Sequence, residues 1–92
     1  MSMAMVKHIL SKDKETSEKL LQELKKGEDF SILAKKHSLC PSKKRGGDLG
    51  EVRKGDLVKV VEQVVFKQAL KEIHGPVKSK FGYHLIKVYF RQ

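Results

Sequence analysis

At 92 residues the chain has room for one hydrophobic core, because halves of that length would each be too small to bury one, so a single domain over residues 1–92 is expected. Hydrophobic residues at 39% and charged residues at 34% exclude a disordered chain by composition. Twenty Lys and Arg against 11 Asp and Glu leave a net charge of +9, which attracts anions in general, and the lone cysteine, Cys40, excludes an intrachain disulfide.

The run Ala4 to Leu10 reads as a strand that places Val6, His8 and Leu10 on one face. Ser11 or Asp13 can cap a helix whose apolar stripe is Leu20, Leu21 and Leu24, with Gly27 as its stop. Asp29 suits the start of a second helix, with Phe30, Leu33, Ala34 and His37 facing the core and Pro41 beyond its end. The stretch Pro41 to Gly50 reads as a loop rich in charge and glycine. Between Leu57 and Phe66 the valines favour a strand, but the period decides for a helix with Leu57, Val61, Val64 and Val65 on one face. His74-Gly75-Pro76 marks a turn, Val77 to Ser79 a short strand, and Lys80-Phe81-Gly82 a tight connection. The last strand, Tyr83 to Phe90, puts His84, Ile86, Val88 and Phe90 on one face. Strands at both ends with helices between them predict an α+β domain whose terminal strands pair in one antiparallel sheet.

That pairing would bring His8 and His84 together, although a lone strand histidine is ordinarily a core or surface residue. Cys40 lies in the most basic part of the chain, but a cysteine hydrolase needs a base, an orienting group and an oxyanion hole that nothing nearby supplies. Zinc is not expected, because Cys-x-x-Cys, His-Glu-x-x-His and any ligand pair at helical spacing are missing. Gly46-Gly47-Asp48-Leu49-Gly50 has the wrong spacing for a phosphate-binding loop and reads as a turn entering a strand. No other cofactor is implied.

Taken in order, Lys7-His8-Ile9-Leu10, Phe30-x-x-Leu33-Ala34-Lys35-Lys36-His37-Ser38, Cys40-Pro41 through Gly46-Gly47-Asp48-Leu49-Gly50, Gly75-Pro76-Val77 and Phe81-Gly82-Tyr83-His84 resemble the parvulin family, in particular its small stand-alone bacterial members. The resemblance covers nearly the whole chain. It implies an FKBP-like parvulin fold, a four-stranded antiparallel sheet surrounded by about four helices, and peptidyl-prolyl cis/trans isomerase activity on proline-containing polypeptides. It also implies that His8 and His84 correspond to the family's paired histidines and Cys40 to its cysteine-or-aspartate position, with an electrostatic role. Leu49, Leu57, Val61 and Phe81 then fall in the proline pocket. Leu57 and Val61 stand where the family usually has methionine and phenylalanine, and Lys59 where a proline is common between them, so a weaker or differently selective grip on proline is expected. Ser11-Lys12-Asp13-Lys14-Glu15, where some relatives carry a basic phosphate-reading loop, is short and of mixed charge, which argues against strict phosphate dependence.

Two alternatives stand beside the isomerase: a peptide-binding chaperone or scaffold with little turnover, and a basic nucleic-acid-binding domain. The second is weakened because no aromatic side chain lies between Lys35 and Lys54 to stack on bases. No apolar run approaches the roughly 18 residues a membrane span requires, and no signal-peptide pattern opens the chain. A monomer in the cytoplasm is the resulting expectation.

Overall fold

A computed structural model describes residues 2–92. The elements run β1 (Met3–Ser11), α1 (Lys14–Lys25), α2 (Phe30–His37), a 3-10 turn (Pro41–Arg45), β2 (Asp48–Arg53), α3 (Lys59–Lys67), β3 (Ile73–Ser79) and β4 (Gly82–Arg91). One antiparallel sheet has the order β2-β1-β4-β3. The first and last strands therefore pair at its centre, as expected from the sequence. Three α-helices and the 3-10 turn stand for the about four helices expected.

Both faces of the sheet are covered. On one, α3 contributes Val61 and Val65 to a core with Ala4, Val6, Val52, Ile86 and Val88. On the other, α1 and α2 contribute Leu20, Phe30, Leu33 and Ala34, which pack on Ile9 and Leu85. This is why Leu85 and Ile86, neighbours pointing to opposite sides of β4, are both fully buried.

The helix starts follow side-chain capping. Asp13 accepts the Thr16 N–H at 2.8 Å and Asp29 the Ile32 N–H at 3.0 Å, each satisfying a donor that the first turn leaves free.

The structure departs from the expected elements at four places. His37, expected in the core, is exposed, because α2 has only eight residues and its packed side ends at Ala34. Leu57 precedes α3 rather than riding on it, since the helix begins at Lys59. The segment expected to be a loop, Pro41 to Gly50, holds the 3-10 turn and the start of β2. His74-Gly75-Pro76 is a register break inside β3 between His74 and Val77, where proline has no N–H to give the ladder. Among the described residues, no helix is long and apolar enough to cross a membrane.

Candidate active site

Register alone brings the two strand histidines together. His8 pairs with Ile86 and Leu10 with His84, so His8 and His84 are diagonal neighbours on the α3 side of the sheet, within reach for flat rings. Their rings stack with centroids 5.5 Å apart and planes 19° from parallel. The two Nδ1 atoms are 3.4 Å apart and His84 Nε2 lies 2.6 Å from Ser79 Oγ, which gives a chain Ser79–His84–His8. Ser79 is itself fixed by the Phe81 N–H, which donates to its Oγ at 3.1 Å. At the far end, His8 Nε2 is buried with no partner.

An Nδ1-to-Nδ1 hydrogen bond requires one of the two nitrogens to be bare, so the rings cannot both be imidazolium. Burial works in the same direction. It pulls His8 down to about 4, with the neighbouring His84 adding to the effect, and burial also lowers His84. Both rings are neutral at pH 7.

Beside the pair opens a cavity of about 570 Å³. All seven residues singled out from the sequence, His8, Cys40, Leu49, Leu57, Val61, Phe81 and His84, line it. They arrive from β1, the α2-to-turn connection, β2, the approach to α3, α3, the β3–β4 turn and β4. Val61 is 2% exposed and belongs mostly to the core, so it forms the floor, whereas Phe81 at 58% exposure stands at the rim.

The sequence did not single out Leu10, Leu39, Pro41, Asp56 and Val58, which also line the cavity, nor Ser79, which holds His84. Asp56 is the only carboxylate there, and its Oδ2 already accepts the Arg53 N–H at 2.8 Å. The Cys40 segment is tied down by Ser38, whose Oγ accepts the N–H groups of Leu10 at 3.0 Å and Cys40 at 3.3 Å, while the Leu39 N–H donates to the Leu10 carbonyl at 2.9 Å. The thiol is thereby anchored to the strand that bears His8. Among the described residues, no group of three or more His, Cys, Asp or Glu is placed to hold a metal ion.

An apolar hollow with neutral ring nitrogens and a thiol at one wall suits a reaction that breaks no σ bond. Rotation about a prolyl amide is such a reaction. It needs an environment that favours the twisted state, in which resonance is lost and charge withdraws from the carbonyl oxygen.

This fold is that of a prolyl-isomerase domain. Residues 5–89 match the family described as Rotamase, the PPIC-type PPIASE domain, and the chain belongs to that family, the parvulins. Foldase protein PrsA 4 of Bacillus cereus is 45% identical over 84 residues, which are 90% of this chain and 30% of that protein. Foldase protein PrsA of Caldanaerobacter subterraneus is 48% identical over 82 residues, 88% of this chain and 27% of that protein. The chain thus spans under a third of the length of these foldases. The solution structure of NmPin, the parvulin of Nitrosopumilus maritimus, superposes with a TM-score of 0.87 at 37% identity and covers 98% of both chains.

Proposed function

We propose that this chain is a peptidyl-prolyl cis/trans isomerase that accelerates rotation of X-Pro bonds in unfolded or flexible polypeptides and so assists their folding. The observation that carries this reading is the buried, stacked His8–His84 pair opening on an apolar cavity of about 570 Å³. Leu49, Leu57, Val61 and Phe81 hold the proline ring, while His8, His84 and Cys40 set the hydrogen bonding and field around the twisting amide. Each roughly 1.4 kcal/mol by which that state is favoured over the planar one gives a tenfold rate gain against a barrier of roughly 18–20 kcal/mol. Exchange NMR on an Ala-Pro peptide tests this directly. Catalysed interconversion is expected, and a rate equal to the uncatalysed one, roughly tens to hundreds of seconds, overturns the reading.

Ser79 acts as a positioning residue through its contact with His84 Nε2. Ser79→Ala is expected to lower kcat about tenfold with little change in KM, as loss of a transition-state interaction does. It should also shift the His84 ring-nitrogen resonances to a different tautomer mixture, and Ser79→Thr should restore both. Unchanged nitrogen resonances together with unchanged kcat would remove Ser79 from the mechanism.

A second reading, a peptide-binding chaperone with slow turnover, is favoured by the pocket floor and rim. Val61 offers no flat surface to a proline ring, while Leu39 and Phe81 are 60% and 58% exposed beside the cavity and are free to hold an apolar segment. Val61→Phe places a flat ring at the cavity floor and is expected to lower KM for proline peptides several-fold. The added volume costs roughly 1–3 kcal/mol of stability, so the variant is assayed well below its melting point. An unchanged KM in the folded variant means that the floor is not what limits the grip on proline.

The cytoplasm and the monomeric state belong to the same proposal, supported by the free Cys40 thiol and by a site assembled within one chain. Cell fractionation and light scattering check them.

A further inference from the structure

From Phe30 to Gly47 the chain contains no carboxylate, yet it carries Lys35, Lys36, Lys43, Lys44 and Arg45, all exposed. Two of these sit in the last turn of α2 and three in the 3-10 turn that packs against α2. The ion pairs among the described residues are Lys14–Glu18, Lys19–Glu15 and Arg53–Glu51, so none of the five is neutralised by one. Arg45 is held instead by its own Nε–H, which donates to the Asp48 carbonyl at 3.3 Å.

The position of this charge matters more than its amount. The residues joining the two basic segments, Leu39, Cys40 and Pro41, are themselves part of the cavity wall. At about 2 Å of rise per residue in a 3-10 turn, Lys43 to Arg45 begin roughly 4 to 8 Å beyond Pro41. The cavity lining has no Lys or Arg of its own, and its single acid, Asp56, is occupied by a backbone N–H. A polypeptide seated in the hollow and leaving past Cys40 therefore runs from a largely apolar site that offers no cation onto a cationic strip without ion-pair partners.

We propose that Lys35, Lys36, Lys43, Lys44 and Arg45 form a docking strip for Asp and Glu side chains of the client, so that the site selects prolines flanked by acidic residues. An extended chain advances about 3.3 Å per residue, so the carboxylates lie about two to five positions from the proline. The strip lies outside the connection after β1, which is of mixed charge, and it adds substrate choice to the isomerase function on which it rests. The occupant is a polypeptide carboxylate rather than a nucleic acid, because the strip carries no exposed Phe, Tyr or Trp for base stacking.

The test compares peptides sharing one Ala-Pro core and flanked, on either side in turn, by three Glu, three Ser or three Lys residues. Turnover is read by exchange NMR and binding by fluorescence anisotropy. With several exposed pairs contributing, the acidic peptide is expected to bind about tenfold more tightly than the serine peptide, mainly through KM, with the preference lost at about 0.5 M salt. The triple variant Lys43→Glu, Lys44→Glu, Arg45→Glu should reverse the order of acidic and lysine peptides while leaving the serine peptide unchanged. Acidic and serine peptides within twofold of each other, or a triple variant that keeps the wild-type order, overturn the proposal. So does a strip whose charge reversal abolishes binding to single-stranded DNA or anionic vesicles without altering peptide preference. If the serine and acidic peptides are both bound in the expected order but neither is isomerised, the isomerase reading fails and the docking strip stands.

Discussion

Gly47→Ala is expected to destabilise the domain by about 3 kcal/mol or more and to lower Tm by more than about 12 °C, because one kcal/mol moves a domain of this size by roughly 4–8 °C. Gly47 has a φ of +83°, and a Cβ there would stand 2.5 Å from the His8 carbonyl oxygen and 3.1 Å from Ala34 Cβ. The first neighbour is backbone and cannot rotate away. The His8 N–H also donates to the Gly47 carbonyl at 2.9 Å, so the residue is hydrogen-bonded to the strand segment a side chain would displace. Gly50→Ala is the matched control. Its φ of +69° carries the same left-handed penalty, about 1 kcal/mol, but nothing lies within 4 Å of its Cβ. Thermal unfolding of the two variants side by side isolates the steric part. If both lose the same stability, the close approach of Gly47 to β1 is not a constraint. Because the displaced atom belongs to His8, kcat should fall in Gly47→Ala even at temperatures where the fold persists.

The second large effect is in pH. His8 is held down to about 4 in the folded protein against an ordinary value of 6.5, and His84 is lowered as well. Between those limits the unfolded chain binds more protons than the native one, so stability rises with pH across the window and is lost as pH falls from about 6.5 toward 4. His8 alone accounts for on the order of 3 kcal/mol over that range. The Asp13 carboxyl, lowered chiefly by its hydrogen bond from Thr16, acts in a separate window below its ordinary 3.8. Urea unfolding from pH 8 to pH 4 should show the loss, and His8→Gln should flatten most of it. A wild-type curve that is flat between pH 6.5 and 4.5 would show that the His8 ring is not desolvated.

Regular elements carried most of what the sequence disclosed. Alternation in β1 and β4 marked which side His8 and His84 occupy, and the strand positions at the two chain ends indicated that they meet. The helix period located Val61 and Val65 correctly, but it also ran one turn too far and placed His37 inside. Much of the remaining wall was illegible for a physical reason. Leu39, Cys40, Asp56, Leu57 and Val58 sit on irregular backbone, which has no period to read, and only the ordered family motifs pointed to Cys40 and Leu57 as parts of the pocket. Ser79 and Ser38 act through single oxygen atoms whose partners are distant in sequence or set by local backbone geometry, and serine composition gives no sign of either.

The pairing of β1 with β4 has one more consequence. Met3 and Gln92 exchange backbone hydrogen bonds, Met3 N–H to Gln92 oxygen at 3.3 Å and Gln92 N–H to Met3 oxygen at 3.0 Å. A longer polypeptide carrying this unit would enter and leave at a single seam, like a bead clipped onto a thread, leaving its rotation about that seam unrestricted by the domain itself. In chain order β4 is the last of the four strands, and it lies between β1 and β3, so His84 reaches His8 only once every other strand of the sheet has been made.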